Sequence, residues 1–310
     1  MRRPQLCVDL GGKRAAHVTT IPAIFKKICD DAALFPPGNA SMADAIPMHR
    51  NYRSSLIADA VGPFVLPSSR VPELAVTLTH GKDSRQIELA VTCPNGPEGL
   101  ETLLVEASDS AIPNIGAVEI AIPPDTSVSA AFRTLAAVST AKLNVFVEVP
   151  RDARQSEVIA SLAGSSYRAK FRTGGVSADA YPDATELARS ICAVASFAVP
   201  FKATAGLHHA VRNTDPATEF EQHGFLNVIL AVDAAISGAN PDEVAVLLES
   251  RNEREIVNQL LSFGPERTAR VRAQFVSFGT CNVIEPLCEL ATLGLFPLAT
   301  LVEFQEKADA

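Results

Sequence analysis

The chain has no tryptophan, and its charged residues never gather into a long run of one sign. With 27 basic against 35 acidic side chains the net charge is −8, and such a field repels polyanions, so nucleic acid and anionic membranes are not expected partners. No stretch reaches the roughly 18 uninterrupted apolar residues of a membrane helix. The nearest, Phe225 to Ile236, is short and holds Asn227 and Asp233. The cysteines (Cys7, Cys29, Cys93, Cys192, Cys281, Cys288) show no C-x-x-C spacing, which argues against a zinc module or a disulfide scaffold. They read as reduced core residues of a cytoplasmic protein. After Met1-Arg2-Arg3-Pro4 there is no apolar segment with a cleavage site, so secretion is not expected. Internal repeats and low-complexity tracts are also lacking.

What is present is alternation. Short apolar runs at Val61–Pro67, Ile87–Cys93, Ala117–Ile122, Leu143–Val149, Arg168–Arg172, Pro200–Thr204 and Gln274–Phe278 are separated by helix-period segments. These segments are Glu98–Ala107, Ser127–Ser139, Gln155–Ala163, Asp183–Phe197, Phe220–Ser237, Pro241–Glu249 and Asn282–Leu293. Strand and helix in turn predict a parallel sheet with crossover helices. Seven strands, with an eighth near Gln5–Leu10, favour an α/β fold of the (β/α)8 TIM-barrel type, which needs about 250 residues. Residues 61–310 are assigned to the barrel. Residues 1–60, with Leu34-Phe35-Pro36-Pro37-Gly38-Asn39 and the charged group Asp30, Asp31, His49, Arg50, Tyr52 and Arg53, are expected to form a helical and loop extension of the same domain, its charges suiting a lid, a subunit contact or a solvated face.

The chemistry concentrates at two strand ends, Ala169-Lys170-Phe171-Arg172-Thr173-Gly174-Gly175 and Phe201-Lys202-Ala203-Thr204-Ala205-Gly206. A lysine among core residues is costly unless it is paired or used. Strand alternation puts Lys170 and Arg172 on one face, Lys202 and Thr204 on one face, and Asn144, Phe146 and Glu148 opposite the valines of their strand. In a barrel with valines toward the helices, Glu148, Lys170, Arg172 and Lys202 point inward near the C-terminal strand ends, where barrel enzymes act. Desolvation and a neighbouring cation would then depress a lysine pKa, freeing an amine to form a Schiff base, with Glu148 moving the proton. A buried ionic network without turnover explains the same pattern.

Other candidates lie on the loops. His208, His209, Arg212 and His223 form a cluster in which His209 and His223, with a carboxylate such as Glu119, would offer a metal site; hydrogen-bonded loop histidines are the plainer reading. Gly279-Thr280-Cys281-Asn282 before a helix suits either an anion site or an ordinary N-cap. Cys281 at that helix start is a weak nucleophile candidate.

These strand ends resemble the deoxyribose-phosphate aldolase group of Schiff-base barrels. The resemblance spans residues 115–295 and is carried by Val118-Glu119-Ile120, Val145-Phe146-Val147-Glu148, Lys170-Phe171-Arg172-Thr173-Gly174, Lys202-Ala203-Thr204-Ala205-Gly206 and Gly279-Thr280-Cys281-Asn282. It implies that Lys170 is the Schiff-base lysine and Lys202 the neighbour that lowers its pKa. Arg172, Leu207-His208-His209 and Cys281-Asn282 depart from the family pattern, which leaves the substrate open.

The leading expectation is a lyase of the class I aldolase type, needing no cofactor and acting on a small anionic carbonyl compound, an oxo acid or sugar derivative. Lys170, Lys202 and Glu148 would be catalytic; Arg172, Thr173, Thr204, His208, His209, Arg212, Gly279 and Thr280 would bind the anion. A metal-dependent enzyme stabilising an enolate and a ligand-binding barrel without catalysis are the alternatives. A homo-oligomer is compatible with all three.

Overall fold

The computed structural model describes residues 19–80, 86–109, 115–138, 140, 142–302 and 304. Its strands are β1 (Cys29–Asp31), β2 (Val61–Pro67), β3 (Leu89–Cys93), β4 (Ile115–Ile120), β5 (Asn144–Glu148), β6 (Arg168–Arg172), β7 (Phe201–Thr204), β8 (Asn213–Thr214), β9 (Glu221–Gln222) and β10 (Phe275–Thr280). Eight of them close into a barrel in the order β1-β10-β7-β6-β5-β4-β3-β2. Every neighbouring pair in the barrel is parallel. Helices follow each barrel strand, so the chain is a (β/α)8 TIM-type barrel. The pair β8–β9 is an antiparallel hairpin in the connection after β7.

The apolar runs form strands because both faces are covered. Val118, Ile120, Val145, Val147, Ala169, Phe171, Phe201 and Ala203 belong to the large core between barrel and helices. A small separate cluster of Val65, Ala90, Ala117 and Phe146 fills the barrel interior. The helices begin where local chemistry satisfies their first amides: Ser127 accepts from the Ala130 amide, Asp183 from Glu186, and Asn240 forms a capping box with Glu243.

One boundary shifts. The strand near Gln5–Leu10 lies outside the described residues; the strand that closes the barrel is β1, inside the stretch assigned to the extension. It bonds β10 through Cys29, Asp30 and Asp31 and β2 through Cys29 and Asp31. The barrel therefore begins near residue 29, and the helix Met42–Ser54 is its first crossover helix. The helices Val71–His80, Glu253–Leu261 and Pro265–Gln274 add to those expected from the sequence.

Candidate active site

Register brings the charged residues to one level. Lys170 lies beside Glu148 on one side and Lys202 on the other, so all three side chains share the inner face. Phe146 forms the floor, with the Lys202 ammonium 5.4 Å and the Arg168 guanidinium 5.6 Å from its ring centre.

Glu119 is the hub. Its Oε2 accepts from Lys170 Nζ at 2.8 Å and its Oε1 from Lys202 Nζ at 2.5 Å. Lys202 also donates to Asp30 Oδ2 at 2.5 Å, an oxygen that accepts from the Ser277 hydroxyl at 2.8 Å as well. On the outer side Lys170 reaches Glu148 Oε2 at 3.2 Å, and Arg172 Nε reaches Oε1 of the same carboxylate at 3.2 Å. The chain runs from sealed interior to open mouth: side-chain exposure is 2% at Lys202, 6% at Lys170, 21% at Glu148 and 47% at Arg172. Lys170 is thus the lysine placed one contact below solvent.

The electrostatics reverse one sequence expectation. Burial would lower both lysine pKa values, but Glu119 with Glu148 at Lys170, and Asp30 with Glu119 at Lys202, outweigh it and raise them. Like-charge repulsion between the two amines is the smaller effect because an acid stands between them. Burial pushes the Glu119 carboxyl up, and the two lysines more than reverse this, to about 2. At Asp30 burial prevails over Lys202 and the pKa is raised. The lysines rest as ammonium ions, not as the free amines predicted from desolvation.

Asp30 and Asp31 correct the reading of the N-terminal segment. Both are buried, and they face opposite ways: Asp30 toward Lys202, Asp31 toward His49 Nδ1 at 2.9 Å on the helix Met42–Ser54. His49, Arg50 and Tyr52 are buried too, which excludes a solvated face for them. A three-residue strand with two acids carries no periodic signal, so Asp30 escapes sequence reasoning, as does Ser277.

The proposed anion-binding side chains separate into two groups. At the mouth, Thr204 and Gly279 adjoin: a Cβ on Gly279 would stand 3.6 Å from Thr204 Oγ1. Others are engaged by the protein. Thr173 donates to the Ala205 carbonyl at 2.5 Å and so ties the β6 turn to the β7 turn. His209 pairs with Glu289 at 2.5 Å, which raises its pKa through that hydrogen bond. Arg212 contacts Glu221 at 3.1 Å and His223 Nδ1 at 3.3 Å. Thr280 donates to the Asn282 carbonyl while Asn282 Oδ1 accepts from the Ile284 amide, so both side chains are engaged within the turn that leads into the helix. His208 lies 3.8 Å from Cys281 Sγ; burial lowers the imidazole pKa and pushes the thiol to about 11, so no thiolate pair forms at neutral pH.

No protein-family model, curated protein or solved structure matches the chain. The site's own geometry therefore carries the functional reading. Among the described residues no group of three His, Cys, Asp or Glu side chains is placed to hold a metal ion. The trio His209, His223 and Glu119 is dispersed: His209 is on Glu289, His223 Nε2 is on the Pro182 carbonyl at 2.8 Å, and both Glu119 oxygens are on lysines. No helix among the described residues is long and apolar enough to cross a membrane.

Proposed function

We propose that the protein is a Schiff-base lyase of the aldolase type, acting on a small anionic carbonyl compound through Lys170. The observation that carries this reading is an amine held between two carboxylates, Glu119 at 2.8 Å and Glu148 at 3.2 Å, at the functional end of a barrel and one contact below its mouth.

The resting ammonium fits the chemistry when the whole step is balanced. Lys170–NH3+ and a ketone or aldehyde give a protonated imine and water. Two ammonium protons leave with the carbonyl oxygen, the C=O bond is replaced by C=N, and the positive charge stays on nitrogen. A site that favours ammonium over amine also favours this iminium, the electron sink for making or breaking the adjacent carbon–carbon bond. Glu148, partly exposed, is the group that takes each proton from nitrogen and returns it to oxygen. Glu119, sealed between the lysines, holds charge and position, and Lys202 keeps Glu119 ionised.

Borohydride trapping tests the reading. Incubation with small aldehydes and oxo acids should add one reduced adduct to Lys170, found by intact mass and peptide mapping, and Lys170→Met should abolish it. Because the amine must first lose a proton from a raised pKa, trapping should accelerate as pH rises through the alkaline range. Failure of every carbonyl compound to label Lys170, while surface lysines label normally, sinks the proposal.

A further inference from the structure

Arg172 is held by one corner only. Its Nε donates to Glu148 Oε1 at 3.2 Å, and among the described residues its two terminal amino groups have no partner in the protein. The side chain is 47% exposed and shares the inner face of β6 with Lys170, two positions earlier. A guanidinium fixed by Nε presents its outer edge as a planar fork, which matches the two oxygens of a carboxylate.

Resting on the Schiff-base reading, we infer that this fork is the carboxylate-binding element of the site and that the substrate class is a short 2-oxo acid. Three observations select that class. The two oxygens of one carboxylate, Glu148, contact both Arg172 Nε and Lys170 Nζ, each at 3.2 Å, so the guanidinium and the amine stand one carboxylate apart, the spacing over which the inferred substrate joins its acid group to its carbonyl carbon. Glu148 also limits the negative charge admitted. A carboxylate brings one charge, whereas a phosphate monoester brings close to two and would set the second against Glu148. Finally, the Thr280 hydroxyl and the Asn282 amide oxygen at the β10 turn are occupied by the turn itself, so those side chains are not waiting for a phosphate. Uncharged aldehydes would still reach Lys170, without the anchoring that Arg172 gives.

The test compares wild type with Arg172→Gln and Arg172→Lys, trapping each with borohydride across concentrations of pyruvate, acetaldehyde and glyceraldehyde 3-phosphate. The expected result is half-maximal labelling of wild-type Lys170 at lower pyruvate than either aldehyde. In Arg172→Gln the pyruvate requirement should rise by about ten- to a hundredfold, as for loss of a charge-assisted pair, and the acetaldehyde requirement by far less, because for that compound only the contact to Glu148 is lost. Arg172→Lys, which keeps charge but loses the fork, should fall between them. An equal rise for pyruvate and acetaldehyde, no rise for either, or preference for the phosphate compound overturns the assignment while leaving Lys170 chemistry intact. Absence of any adduct in all three proteins defeats the Schiff-base reading instead. Calorimetric titration of pyruvate into Lys170→Met and into the double variant with Arg172→Gln then still decides the fork: equal affinity, or no binding by either, overturns it.

Discussion

Replacing Glu119 by glutamine removes one negative charge from between two buried ammonium ions and leaves the shape almost unchanged. A carboxyl held near 2 in place of its ordinary 4.5 is favoured by folding by roughly 3 kcal/mol at neutral pH, at about 1.4 kcal/mol per tenfold change in proton affinity. Breaking a buried pair by removing one partner costs about 3 to 5 kcal/mol on other grounds, so the two routes agree. For a depressed acid the contribution is fully present above about pH 4.5 and is lost as pH falls through about 2. Urea unfolding of wild type and Glu119→Gln should therefore differ by about 3 to 4 kcal/mol at pH 7, and by less than half that at about pH 3. A difference below about 1 kcal/mol at pH 7, or one that does not shrink on acidification, would refute the account of Glu119 as the hub.

Two further outcomes follow from the turns at the mouth. A Cβ on Gly174 would lie 2.6 Å from Gly206 Cα and 2.8 Å from Tyr181 Cε1, so Gly174→Ala should cost about 1 to 3 kcal/mol and lower the melting temperature by several degrees; an unchanged melting temperature would show that the two turns are not in contact. Cys281, with its thiol pushed to about 11 by burial, should alkylate slowly with iodoacetamide at pH 8 and faster toward pH 11, and a rate that levels off below pH 8 would contradict its burial.

The parts of the molecule legible in the sequence are those where a single local rule decides. The strands at Val61–Pro67 and Arg168–Arg172 and the helices at Gln155–Ala163 and Pro241–Glu249 have the same bounds in the structure as in the sequence, because apolar patterning marks them and, at Pro241–Glu249, the Asn240–Glu243 capping box as well. Inward placement of Glu148, Lys170 and Lys202 followed from strand alternation alone. What escaped depends on partners distant in the chain. The direction of the lysine pKa shifts is set by Asp30 and Glu119, whose approach to the amines is fixed by barrel closure and not by spacing. Thr173 looked like a ligand donor because nothing local shows that the next turn supplies its acceptor.

Asp30 joins Lys202 across 172 residues and Ser277 across 247, and it does so from the strand that closes the barrel. Contacts of such sequence separation form only after the loop-closure entropy of nearly the whole barrel has been met. During synthesis the two lysines emerge well before Ser277 and the rest of β10, so the ionic centre has no complete form on the ribosome until the last strand is out. The complete centre therefore needs both ends of the barrel, and a chain trimmed at residue 60, the boundary expected from the sequence, would lose the seam of the barrel and a carboxylate of the centre together.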